Sequence, residues 1–248
     1  MTVSAFEPGG YRYIPALFQY SSGVAALPGF EIVRVRFRNP PPLAQGFFEA
    51  ERLMQAAGRA PTAFCACELR SPAPLTDQGF RAFNESYVVK LKEWGLFDGR
   101  RNPVARSNVC PAVDPPAEPV LYAFSFTLPK ENALPTFVIA GSGEAREGPG
   151  RYAERTIRYG DTSPEAMAEK AAFVHDVMEL RLSLIGMGWQ DATATQVYTV
   201  HDLHPFFGED IVRRGAARAG LTWHFCRPPV AGLEYEMDCR AVATERVV

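Results

Sequence analysis

An arginine, an asparagine and a cysteine alternate along the stretch Pro103 to Pro111, which reads Pro-Val-Ala-Arg-Ser-Asn-Val-Cys-Pro. A period of two puts Arg106, Asn108 and Cys110 on one face of a short strand and Ser107 and Val109 on the other. An arginine carried by a strand between two prolines presents a planar fork, the geometry that grips a carboxylate with two parallel hydrogen bonds. A surface ion pair would use the same residue. Elsewhere, Glu234 and Glu236 share one face of the run Leu233 to Val242, a pattern often found on solvated strands. His224 titrates near neutrality, which makes it an acid-base candidate, although a lone strand histidine more often serves structure. His201 and His204 lack a recognisable third ligand, and Cys65 and Cys67 lack zinc-knuckle spacing, so no metal site is expected. The glycines at 141, 143, 148 and 150 precede no helix start and read as a loop, not as a phosphate cradle.

These residues need a frame to hold them. The chain has 248 residues, 47% hydrophobic and 22% charged, ample for a buried core. A net charge of -2 leaves no electrostatic footprint for nucleic acid or an anionic membrane surface. Small-molecule chemistry moves forward accordingly. Met1 to Gly10 has no signal-peptide pattern and no apolar run reaches membrane-spanning length, so a cytoplasmic chain is expected. Five cysteines, an odd number without a paired framework, fit reduced thiols.

In order, Phe18 to Ala25 and Phe30 to Phe37 read as a hairpin around a Pro-Gly turn. A helix stripe follows at Leu43, Phe47, Ala50, Met54 and Ala57, then a strand at Thr62 to Arg70. A second stripe uses Phe80, Phe83, Tyr87, Leu91 and Trp94, ahead of the Arg106 strand and a strand from Val120 to Leu128. The proline-bounded segment 129–135 is a linker. The pattern then starts again, with a hairpin from Thr136 to Ala145 and Glu154 to Tyr159. A helix is capped by Ser163 and striped by Met167, Ala171, Val174, Met178 and Ile185. A strand at Thr193 to Val200, a weaker helix from about Pro205 to Ala219, and two closing strands complete it. The fold class is α+β, with two tandem units at 1–128 and 136–248, each a mixed sheet with two helices on one face. Arg106-x-Asn108-x-Cys110 matches Thr222-x-His224-x-Cys226.

Gly-Gly-Tyr at 9 to 11, Phe-Asn-Glu-x-Tyr at 83 to 87, Ala-Arg-Ser at 105 to 107 and the acidic closing strand at 232 to 238 occur in an order that resembles the reactive-intermediate deaminase superfamily. That superfamily is also called the YjgF-like or endoribonuclease L-PSP-like fold, a chorismate-mutase-like architecture. The likeness covers nearly the whole chain, twice over. Two departures matter. Position 222 is threonine where the first half has Arg106, and the first half's last strand has no carboxylate where the second has Glu236. A complete site would therefore be composite, drawn from both halves within a chain or across a subunit interface.

The resemblance implies cofactor-free hydrolysis of an enamine or imine beside a carboxylate, with release of ammonia. Arg106 would anchor the carboxylate and Glu236 would act as base and proton shuttle, with Glu234 or His224 as substitutes. Tyr11, Asn84, Asn108 and Cys110 would line the pocket. Among substrates, 2-aminomuconate or a substituted 2-aminomuconate from aromatic degradation is favoured, by analogy with 2-aminomuconate deaminases. A chorismatase-like hydrolase and a non-catalytic ligand-binding protein are the alternatives. Members of this superfamily assemble as trimers with sites in the clefts between subunits, so a homotrimer is expected.

Overall fold

Branched and aromatic residues at alternate positions make Phe30–Arg36 (β4) a strand with one apolar face, Val33 and Val35 pointing towards helices. In the computed structural model, which describes residues 2–248, β4 anchors the first of two mixed sheets. The chain begins with Ser4–Phe6 (β1), Tyr11–Ile14 (β2) and Gly23–Ala26 (β3), and after β4 continues through helix Leu43–Ala56 (α1), Phe64–Arg70 (β5), helix Asp77–Glu93 (α2), Ala105–Pro111 (β6) and Val120–Pro129 (β7). The second half brings Phe137–Gly143 (β8), a short helix Tyr152–Arg155 (α3), the long helix Pro164–Leu184 (α4), Ala194–Tyr198 (β9), Leu221–His224 (β10), Cys226–Arg227 (β11), Glu236–Ala241 (β12) and Thr244–Val247 (β13).

The repeat read from the sequence reappears in the pairing. In the first sheet β6 runs parallel to β5, which pairs antiparallel with β7, which pairs antiparallel with β4. In the second, β10 runs parallel to β9, and β12 joins β9 to β8 in antiparallel register. Helices α1 and α2 pack their apolar stripes on the first of these four-strand cores, α4 on the second. Ser163 caps its helix as expected, its Oγ accepting the Ala166 amide at 3.3 Å, and Thr76 Oγ1 likewise accepts the Gly79 amide at 3.1 Å ahead of α2, each stabilising by about 1 kcal/mol.

Three expectations need correction. Phe18 to Ala25 and Phe30 to Phe37 do not form a hairpin: β3 pairs with β2 and β8 in the second sheet, while β4 pairs with β7 and β13 in the first. The turn at Gly29, with φ of 84°, carries the chain from one sheet to the other. Glu154 to Tyr159 is not a strand; only the bridge Ala145 to Thr156 remains, beside α3. The weak second helix shrinks to a turn at His204–Phe206 and a wide turn at Phe207–Val212, because Pro205, Gly208 and Gly215 leave no unbroken stripe.

The sheets meet across a layer that is only partly apolar. Tyr11, Tyr13, Val24, Ile32 and Ala140 form a small cluster there. Beside it lies a buried polar group: Arg34 donates to both oxygens of Glu68 at 2.6 and 2.9 Å, and Glu245 of β13 caps Arg34 and Arg240. Burial works against the Glu68 charge, yet the Arg34 guanidinium outweighs it and holds the carboxyl well below its ordinary range.

Candidate active site

Where β6 of the first sheet crosses β8 of the second, the layer opens into a cavity of about 650 Å³, counting its mouth. Arg106 from β6 and Glu236 from β12 line it together, with Asn108, Gly141, Leu233 and Tyr152 among the surrounding side chains. One chain thus brings together the arginine of one half and the glutamate of the other. Strand pairing places both: β6 lies one short strand from its sheet edge, and β12 is held between β8 and β9.

Arg106 is 4% exposed, and its Nη1 has no partner among the described residues. Its guanidinium is surrounded by rings instead, 4.7 Å from the centroid of Tyr87, 5.7 Å from Tyr20 and 5.8 Å from each of Phe80 and Phe83. Rings stabilise the charge face-on but leave the in-plane donors free. A buried arginine with an open fork is costly in isolation, and an anionic ligand would satisfy it.

Glu236 is 5% exposed. Burial pushes its carboxyl up, Asp238 on the same face of β12 pushes further, and Arg106 only partly offsets them, so it rises to about 8. At neutral pH the protonated form is then favoured. The carboxyl fits because position 141 is glycine. A methyl group there would collide with Glu236 Oε1 and lie 3.1 Å from its carboxyl carbon and 3.2 Å from Ser107 Cα.

Behind the cavity a buried network fixes the two strands against each other. Ser107 Oγ donates to Asp238 at 2.6 Å and accepts the Gly141 amide at 3.1 Å. Tyr198 donates to the same carboxylate oxygen at 2.8 Å, and Gln196 to the other at 2.8 Å. Burial and the neighbouring Glu68 nonetheless raise Asp238 above the ordinary aspartate range. A second brace acts on the segment before Glu236: Glu144, fully buried beside Lys170, accepts the amides of Glu234 and Tyr235 at 2.6 and 3.2 Å.

Not every residue named from the sequence arrives. Asn108 lines the cavity and accepts from Ser71 Oγ at 3.0 Å. Cys110 is buried outside the lining, its thiol pushed up to about 12 by burial and then by Glu236. Asn84 faces an adjoining cavity with Gln19 and Arg81. Tyr11 is in the core, its hydroxyl donating to the Phe64 carbonyl at 3.2 Å, because β2 turns that side chain towards β5. Glu234 precedes β12 and turns away to Arg227 and His201, at 2.6 and 2.8 Å. His224 stacks on Tyr198 and meets Gln196 at 3.0 Å, outside the lining. Burial drives it down to about 4, so at neutral pH it is an uncharged structural imidazole.

Several residues of the site escaped the sequence reading. Among them, Tyr20 and Tyr152 supply rings, and Arg146, Glu147, Arg155 and Arg181 supply charge. Arg181 was detectable, since it interrupts the apolar face of α4 between Met178 and Leu182 and is buried there. It donates to the Ala140 carbonyl and to Glu147, both at 3.2 Å.

The family described as 2-aminomuconate deaminase CnbZ matches residues 3–246. A 2-amino-5-chloromuconate deaminase from Comamonas testosteroni is 53% identical over 245 residues, covering 98% of both chains. Among solved structures, RidA from the Antarctic bacterium Psychrobacter is 16% identical, with 43% of this chain and 80% of that one covered and a TM-score of 0.32. A chorismatase is 12% identical over 98% of this chain and 89% of that one, with a TM-score of 0.42.

Proposed function

The chain belongs to the 2-aminomuconate deaminase family CnbZ, and on that premise we propose that it hydrolyses 2-aminomuconate, or a ring-fragment analogue bearing a further substituent, to the 2-oxo acid and ammonia. The observation that carries the reading is the pairing in one cavity of an unpartnered buried arginine with a buried glutamic acid, whose proton affinity that burial raises.

Arg106 binds the carboxylate beside the amino-bearing carbon through its free in-plane donors. Glu236 gives its proton to the enamine carbon, which converts the amine to an iminium and leaves a carboxylate. That carboxylate takes a proton from water as the oxygen bonds to the iminium carbon. The same proton then moves to nitrogen, the C–N bond breaks with its electron pair going to ammonia, and the carbinol O–H proton returns to Glu236. One water is consumed and one ammonia released, with no change of oxidation state. A group with a pKa near 8 suits both duties, because it is a proton donor at rest and its conjugate base is strong enough to activate water.

The chain is further proposed to consist of two tandem units, 1–128 and 136–248, joined at 129–135, and to work as a cytoplasmic homotrimer. Among the described residues no helix is long and apolar enough to cross a membrane.

The test is ammonia release from 2-aminomuconate by the purified protein. Arg106→Lys should raise KM at least tenfold, since an ammonium cannot reproduce two parallel hydrogen bonds. An unchanged KM in that variant moves the anchor elsewhere, and absence of ammonia release from the wild type refutes the reading.

A further inference from the structure

The cavity is lined by four arginines, Arg106, Arg146, Arg155 and Arg181, against two glutamates, Glu147 and Glu236. One carboxylate ligand at Arg106 does not balance that lining. The surplus is greatest with Glu236 protonated. A pair of rings links Arg106 to Arg155 along the lining. Phe80 is 5.8 Å from the Arg106 guanidinium, Tyr152 is 6.2 Å from Phe80 and edge-on to it, and the Arg155 guanidinium is 4.5 Å from the Tyr152 ring.

The other arginines of the lining are not equally free. Arg181 is committed to Ala140 and Glu147. Arg155 donates from Nη1 to the Arg146 carbonyl, while its Nε is buried without a partner among the described residues. A buried N–H with no acceptor costs free energy that an incoming acceptor would recover.

We propose that Arg155 is the anchor for a second carboxylate, so that the cavity selects a linear unsaturated dicarboxylate lying along the Phe80–Tyr152 rings with one end at Arg106 and the other at Arg155. The inference rests on the function proposed above and deepens it. It makes Arg155 the residue that distinguishes a dicarboxylic enamine from the small monocarboxylic enamines, which have only the Arg106 end to offer. The two rings, set edge-on to each other, contribute an apolar wall beside a conjugated chain, and Val230 and Leu233 pack against them from the segment before β12. Arg155 would then raise affinity without touching the reacting carbon.

The test uses two inert ligands of one skeleton, trans,trans-muconate with a carboxylate at each end and trans,trans-sorbate with a methyl group in place of the second. Binding is measured by calorimetry on the full-length protein. The wild type should bind muconate about ten- to a hundredfold more tightly than sorbate, the range expected for one charge-assisted anchor. Arg155→Gln should bring the two affinities close together while sorbate binding stays as in the wild type, which also certifies that the variant is folded. Arg106→Lys should weaken both ligands. A wild type without preference for muconate, or an Arg155→Gln variant that keeps the wild-type ratio, overturns the second anchor. If Arg106→Lys leaves both affinities unchanged, the first anchor lies elsewhere, whereas absence of ammonia release from 2-aminomuconate overturns the function reading, so the two failures are separable.

Discussion

Replacing Glu236 by glutamine separates the two consequences of burying an acid in the active site. A carboxyl whose pKa is about 8 in the folded chain and 4.5 as its reference value binds more protons folded than unfolded between those limits. Its contribution to stability is therefore fully present below pH 4.5 and is lost as pH rises through 8. That difference in proton affinity corresponds to at most about 5 kcal/mol, and for a chain of this length to a melting shift on the order of 10 °C. Glutamine keeps the shape and cannot ionise. Melting curves of wild type and Glu236→Gln across pH 4 to 9 should agree in acid, diverge in favour of the variant from about pH 4.5, and run parallel above about pH 8. Turnover should fall by several orders of magnitude in the same variant, with ligand affinity retained. A stability difference that does not vary with pH would refute the raised proton affinity, and with it the role of Glu236 as a resting proton donor.

Gly141→Ala should leave the fold intact and cut kcat about a hundredfold or more, because a methyl group displaces the Glu236 carboxyl by its own width; wild-type turnover would show that the carboxyl can move aside. Co-refolding inactive Arg106→Ala and Glu236→Gln chains should recover almost no activity, since each chain lines its own cavity with both residues; recovery of a quarter or more of wild-type activity in mixed oligomers would relocate the site to a subunit interface.

The sequence carried the chemistry further than the topology. Arg106 was legible because alternation and flanking prolines are local signals, and Glu236 because an acidic position present in one half is missing from the other. The hairpin was not legible. Pro28 and Gly29 announce a turn, but a turn signal says nothing about which strands flank it as partners, and β3 and β4 go to different sheets. Tyr11 and Glu234 were misplaced for a related reason: a landmark shared with a family identifies a position in the chain, and its direction depends on strands contributed by the other half. Arg155 gave no sign at all, since its exposure to the cavity depends on a four-residue helix with no apolar period.

The exchange of outer strands between the sheets bears on how the chain is made. The second sheet takes β1 to β3 from the first 26 residues, and the first sheet receives β13 only from Thr244–Val247. On the ribosome, residues 4–26 emerge early and must wait for β8, their neighbour in the sheet, more than a hundred residues later. The first sheet meanwhile stands with one edge of β4 open until Thr244–Val247 emerge. Contacts of such sequence separation are slow to form and leave strand edges unprotected in the interval. Completion of the first sheet thus waits for Thr244–Val247, and a nascent chain stalled before residue 244 is a candidate for chaperone capture.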